Sequence, residues 1–240
     1  MGPLKIFLTV VVFLIFFTNL PRHSKAEVSW HSWDVQHVFV PVGFDDNDNV
    51  QVVLDGVLWN SCMVVADPAI DYRLEDGIVA IQPRAMNDGS VCRPREDAVA
   101  QTVDLGILPF GDFDILLPDG NSFPLLVAES DNAGPDDHLF GLVDYAWPST
   151  YLDRDGNLAL RVELDGYLSD TCQRWDEIEV DFKNGVYVVQ PKLYLVDGPC
   201  VEVMQEFDVF AELPLPPDAG RYLLHVRSYD GKSLNKVFEF

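Results

Sequence analysis

The chain carries one ordered series of residues twice. Leu54-Asp55-Gly56, Cys62, Gly77-Ile78-Val79-Ala80-Ile81-Gln82-Pro83, Cys92 and Gly111-Asp112-Phe113 run in the same order as Leu164-Asp165-Gly166, Cys172, Gly185-Val186-Tyr187-Val188-Val189-Gln190-Pro191, Cys200 and Gly220-Arg221-Tyr222. The offset is 110 residues at the first cysteine and 108 at the second. Matches at a near-constant offset point to a duplicated unit. They constrain the number of domains, the cysteine pairing and the strand order together.

Within each unit the hydrophobic pattern has period 2. Leu158, Leu160, Val162 and Leu164 alternate with Ala159, Arg161 and Glu163, and Val50, Val52 and Leu54 hold the matching places. That is the pattern of a half-buried strand. Ile78 to Ile81 and Val186 to Val189 are continuous apolar runs led by glycine, expected as interior strands. Alternation returns at Val99 to Leu105 and Phe113 to Leu117, and again at Phe207 to Leu213 and Tyr222 to Val226. Asp119-Gly120-Asn121-Ser122 and Asp230-Gly231-Lys232-Ser233 are turns before a last strand in each unit. A preceding strand pairs His37-Val38-Phe39-Val40 with His138-Leu139-Phe140-Gly141, at an offset of only 101. An insertion of about nine residues in the second unit is therefore expected after that strand. No segment has sustained helical periodicity, and Ser169-Asp170 is expected to cap a single helical turn around Cys172.

Short strands separated by turn signals predict an all-β chain of two tandem antiparallel β-sandwich domains with one disulfide each. The expected organisation is a signal peptide over 1–26, sandwich repeat 1 over 27–128, a linker over 129–135 and sandwich repeat 2 over 136–240. The leader reading rests on Lys5, the apolar run Ile6 to Phe17 and the small residues Ser24 and Ala26, against the alternative of an uncleaved anchor. No later stretch has membrane length. Export to the cell exterior or periplasm makes two disulfides the simplest use of four cysteines. The repeat selects Cys62–Cys92 and Cys172–Cys200 from three possible connectivities.

From Glu27 onward the chain keeps 13 of its 16 basic residues and all 39 acidic ones, a formal charge of −26. Nucleic acid is excluded as a partner, because phosphate binding requires clustered Lys and Arg. The same charge serves solubility, and it also attracts cations.

Leu108-Pro109-Phe110-Gly111-Asp112-Phe113 and Pro216-Pro217-Asp218-Ala219-Gly220-Arg221-Tyr222 carry a proline, glycine and aromatic corner before a late strand. In this respect the chain resembles immunoglobulin-like modules of exported bacterial proteins. The resemblance implies that the Tyr222 hydroxyl closes its corner onto nearby backbone. Phe113 departs from the pattern. So do the cysteines, whose loops are shorter than an antibody intersheet bridge and enclose no tryptophan at the expected place.

Two constellations bear on binding. Asp45, Asp46 and Asp48 in one acidic turn, and Asp153, Asp155 and Asn157 in the other, offer hard oxygen ligands at spacings that suit Ca²⁺. Neither completes a twelve-residue loop with a distal Glu, and a solvated Asx turn fits equally. Trp30, Trp33 and Trp147 lie outside the best-matched strands. They suit either a surface that binds an extracellular protein or carbohydrate, or packing at the domain junction. The tryptophans and the segment Tyr145 to Leu152 are not duplicated, which marks them as places for a unique site.

No catalytic motif is present. The expected function is an exported, non-catalytic binding, adhesion or assembly module acting through loops or sheet edges. An inhibitor of an extracellular enzyme and a secreted hydrolase with a carboxylate site are the alternatives.

Overall fold

A computed structural model describes residues 29–87, 92–132, 134 and 136–240. The leader predicted over 1–26 lies outside the described residues. The first part of the chain forms β1 (Ser29–His31), β2 (Asp34–Phe39), β3 (Phe44–Asp45), β4 (Val50–Asn60), β5 (Met63–Arg73), β6 (Ile78–Asn87), β7 (Pro94–Gly106), β8 (Gly111–Leu116) and β9 (Ser122–Ala128). The second part forms β10 (Leu139–Phe140), β11 (Leu142–Leu152), β12 (Leu158–Asp170), β13 (Gln173–Lys183), β14 (Val186–Leu195), β15 (Glu202–Leu213), β16 (Arg221–Ser228) and β17 (Lys232–Glu239). The chain is all-β. One 3₁₀ turn, Leu74–Asp76, interrupts the strands among the described residues.

Each part builds a three-stranded sheet, β2–β4–β7 or β11–β12–β15. Each also builds a larger sheet, with β5, β6, β8, β9, β1 and β3 in the first part and β13, β14, β16, β17 and β10 in the second. Alternation explains the division of faces. Val52, Leu54 and Val103 of the three-stranded sheet share one core cluster with Val79, Ile81, Ile115 and Leu125 of the larger sheet. Val162, Leu164 and Ala211 share a second cluster with Val189, Leu224 and Val226.

The sequence pattern predicts antiparallel sheets, and three strand pairs depart from that expectation. β6 runs parallel to β8, β14 parallel to β16, and β3 parallel to β9. The reason is the route of the chain. β7 and β15 cross to the other sheet, so the next strand returns in the direction of the one before the crossing.

The repeated Leu-Asp-Gly has a steric cause. β2 bulges between Val35 and His37 opposite Gly56, and β11 bulges between Val143 and Tyr145 opposite Gly166. A Cβ on Gly56 would collide with the Asp34 carbonyl, and one on Gly166 with the Leu142 carbonyl. These registers also correct the match of the first strands. Val35 corresponds to Val143 and His37 to Tyr145, at an offset of 108. The likeness of His37–Val40 to His138–Gly141 is coincidental, and no nine-residue insertion follows. The difference lies after these strands. In the first part the chain leaves the sheet beyond Phe39, passes Pro41 and a left-handed Gly43 (φ 82°), and joins β9 as β3. In the second part β11 stays paired with β12 as far as Leu152.

Both disulfides form as the repeat implies, with Cα–Cα distances of 5.4 Å for Cys62–Cys92 and 5.3 Å for Cys172–Cys200. The residue two positions before each first cysteine caps a tight turn. Asn60 Oδ1 accepts from the Cys62 amide at 3.0 Å, and Asp170 Oδ1 accepts from the Cys172 amide at 2.7 Å. Asp170 therefore caps as expected, but it caps a tight turn that carries the chain from β12 in one sheet to β13 in the other, and not a helical one. The Tyr222 hydroxyl donates to the Asp218 carbonyl at 2.7 Å and closes the corner.

Among the described residues no strand of one part pairs with a strand of the other, but side chains pack across. Phe39 and Val53 are buried with Val186, Val188 and Leu223. Asp55, 1% exposed, accepts two hydrogen bonds from Arg221, at 2.6 and 2.7 Å. Gln51 accepts from Asn235 at 2.7 Å and from Ser233. Arg227 donates to the Gly43 carbonyl at 2.5 Å, pairs with Asp48 at 2.7 Å and lies over the Phe44 ring. The outward face of β2–β4 is thus covered by the outward face of β14–β16–β17.

Candidate functional site

The two acidic turns are not equivalent in space. Asp45 to Asn49 follows β3 and lies against the second part. Asp48 is paired with Arg227, and Asp46 Oδ1 accepts from the Ser130 amide at 2.9 Å. Hydrogen bonds from Ser130 hold the Asp46 carboxyl below its usual range, while burial raises that of Asp45. Asp153 to Asn157 is instead the tip of the β11–β12 hairpin. There Asp153 Oδ1 accepts from the amides of Asp155 and Asn157, both at 2.8 Å, and these bonds hold its carboxyl low. Asp45 and Asp153 accept from amides of their own turns, Asp48 is paired with Arg227, and Asp46 is held by Ser130. Asp45 lies near Asp48 and Asp137, and Asp136 near Asp48 and Asp45, but neither turn holds three carboxylates with oxygens all within 4.8 Å of one another among the described residues.

The tryptophans also separate. Trp33 is 3% exposed and belongs to the first core cluster, which corrects its expected place on a binding surface. Its ring fills the space beside Gly56. Trp30 is 57% exposed on β1, with the Arg84 guanidinium 4.9 Å from its ring centroid. Trp147 is 46% exposed on β11 and stacks on Tyr145, with ring centroids 6.2 Å apart and planes 4° from parallel. The Lys236 ammonium sits 3.2 Å from the Trp147 centroid.

Trp147 stands on the outward face of β11–β12–β15. Cross-strand pairing sets Tyr145, Asp165 and Asp208 in one row, and Trp147, Glu163 and Phe210 in the next. The carboxylates of Glu163, Asp165 and Asp208 converge within 4.8 Å of one another. Like charges directly opposite on neighbouring strands repel. Among the described residues no lysine, arginine or histidine forms an ion pair with these three. Arg161, one row further, is turned aside onto Phe210 and Tyr151, 4.5 and 5.0 Å from their centroids. A shallow pocket on this face is lined by Asp144, Asp165, Tyr167, Glu206 and Asp208.

Sequence reasoning singled out Trp147 and the segment that begins at Tyr145, but it missed Glu163, Asp165, Asp208 and Phe210. Asp165 was visible within the repeated Leu-Asp-Gly. Its charged neighbours required the register, because acidic residues are too common in this chain for composition to single them out.

Comparison of the chain with protein-family models, with curated proteins and with solved structures yields no match. Fold and site together define an all-β, twice disulfide-bonded protein with an aromatic and acidic sheet face open to solvent. No helix among the described residues is long and apolar enough to cross a membrane.

Proposed function

We propose that the chain is an exported, non-catalytic binding or assembly protein of two tandem immunoglobulin-like β-sandwich domains, and that it engages its partner through the outward face of β11–β12–β15. The sandwich reading is supported by the two core clusters, each drawn from one three-stranded and one larger sheet. The tyrosine corner at Tyr222 adds to it. Export is supported by two disulfides, which persist in oxidising compartments.

The observation that carries the binding role is a comparison within the molecule. The stacked pair His37–Phe39 occupies the place of Tyr145–Trp147. In the first part that place is a docking face, with Phe39 buried against the second part. In the second part the same place is open. Exposed Trp and Tyr supply the aromatic anchors of a protein-binding hot spot, and the carboxylates beside them select a basic partner.

A photo-crosslinking residue installed at position 147 in producing cells tests this, with position 126 on the far sheet as control. One discrete adduct from 147, lost on Asp165→Arg, is expected. No adduct, or the same adducts from both positions, contradicts the proposal.

A further inference from the structure

We infer that the partner presents a β-sheet face bearing an arginine between aliphatic side chains, and that this arginine is received by Asp165. The inference rests on the binding role proposed for the outward face of β11–β12–β15 and names the chemistry of its occupant. The register equates the two faces residue by residue. His37, Phe39, Val53 and Asp55 of the covered face correspond to Tyr145, Trp147, Glu163 and Asp165 of the open one. On the covered face the occupant is known. It is the sheet β14–β16–β17, which sets Arg221 on Asp55 and packs Leu223 and Val188 around Phe39 and Val53.

The open face departs from its counterpart in charge. Val53 is replaced by Glu163, and Ala100, the cross-strand neighbour of Asp55, is replaced by Asp208. One carboxylate becomes three converging ones. A buried guanidinium is matched by such a group through charge-assisted, bidentate hydrogen bonds.

The equivalent sheet of a second copy of this chain does not supply that chemistry. That sheet, β5–β6–β8–β9, corresponds to the covering sheet, and the parallel registers place Asp114 where Leu223 stands and Asp112 where Arg221 stands. Docking that face on Asp165 would bring carboxylate against carboxylate, which disfavours self-assembly. The occupant is therefore a different protein, complementary in charge to an acidic face.

The test converts the chain into its own probe. Asp112 is exposed, and Asp112→Arg places an arginine at the position equivalent to Arg221. Sedimentation of the full chain is expected to show wild type as a monomer. The Asp112→Arg variant is expected to self-associate at least ~10-fold more tightly, with the gain removed by a further Asp165→Asn. Asp112→Arg with Asp114→Leu, which restores the aliphatic neighbour, is expected to associate more tightly still and provides a second variant.

An equal gain with Asp165→Asn overturns the inference, and so does no gain in either variant. Wild type that already associates through Trp147 makes a second copy the occupant and also overturns it. A rise in wild-type melting temperature with Ca²⁺ that Asp208→Asn abolishes assigns the carboxylates to a metal, with the same consequence. A persisting adduct from position 147 beside a failed arginine variant would leave the binding role standing and reject only this occupant.

Discussion

Asp136 and His225 are two buried groups near the contact between the halves of the chain, and their ionisation opposes. Burial raises the Asp136 carboxyl to about 6, helped by Asp48 and Asp45 and countered by the Gly231 amide and Arg227. Burial lowers the His225 imidazole to about 4, helped by Arg227 and countered by the bond to Asn235. Between pH ~4 and ~6 folded Asp136 keeps a proton that the unfolded chain has lost, so rising pH removes stability. Between pH ~4 and ~6.5 the unfolded chain protonates the imidazole while the folded chain does not, so falling pH removes stability. The slopes have opposite signs and overlap. Relative to wild type, Asp136→Asn is expected to lose stability more steeply as pH falls from ~6 to ~4, and His225→Gln more steeply as pH rises from ~4 to ~6.5. Urea melts at several pH values measure both. Slope changes of the same sign in the two variants would refute the assignment.

At the scale of the element, the bulged strand opposite a glycine is the device that was duplicated. Gly56→Ala and Gly166→Ala are each expected to destabilise by about 1–3 kcal/mol, because the added Cβ meets the backbone of the neighbouring strand and not a movable side chain. Chemical denaturation reads this, and losses under ~0.5 kcal/mol would show that β2 and β11 can yield.

The same elements explain what could be read from the sequence. Period-2 alternation at Leu158 to Leu164 identified a strand with one buried face, whereas Val50 to Leu54, read by the same pattern, is buried on both faces because the second part covers its outward side. The matched cysteines identified the disulfides. The parallel pairs β6–β8 and β14–β16 were not legible, since side-chain alternation carries no strand direction. The match of β2 with β11 was hidden because of Val35–Phe39 and Val143–Trp147 only the leading valine is shared, and it is the bulge after it that equates the two strands. Trp33 was misjudged because a tryptophan between strands reads as loop until the glycine it packs against is known. Of the open face only Trp147 and the segment from Tyr145 stood out beforehand. Its carboxylates come from β12 and β15, and only pairing brings them together.

Across the whole molecule, one kind of sheet face is covered once and left open once. The outward face of β2–β4 takes a sheet that carries an arginine, and its counterpart on β11–β12–β15 stands unpaired. The two halves are not beads on a free linker. Ser130 is held by Asp46, and the Asn132 carbonyl accepts from Asn47 at 2.8 Å. Asp55 and Arg221 join the two halves, with the Asp55 side chain removed from water and Arg221 also reaching Glu239 at 3.2 Å. Pairs of this kind couple by about 1.5 kcal/mol or more when both charges are held in place, whereas exposed pairs couple by less than ~1 kcal/mol. The most direct measurement is a double-mutant cycle on the full chain with Asp55→Ala, Arg221→Ala and the double variant, read by chemical denaturation. A coupling of at least ~1.5 kcal/mol is expected. A coupling near zero, with the single losses simply adding, would contradict the claim that this sheet face is built to receive an arginine.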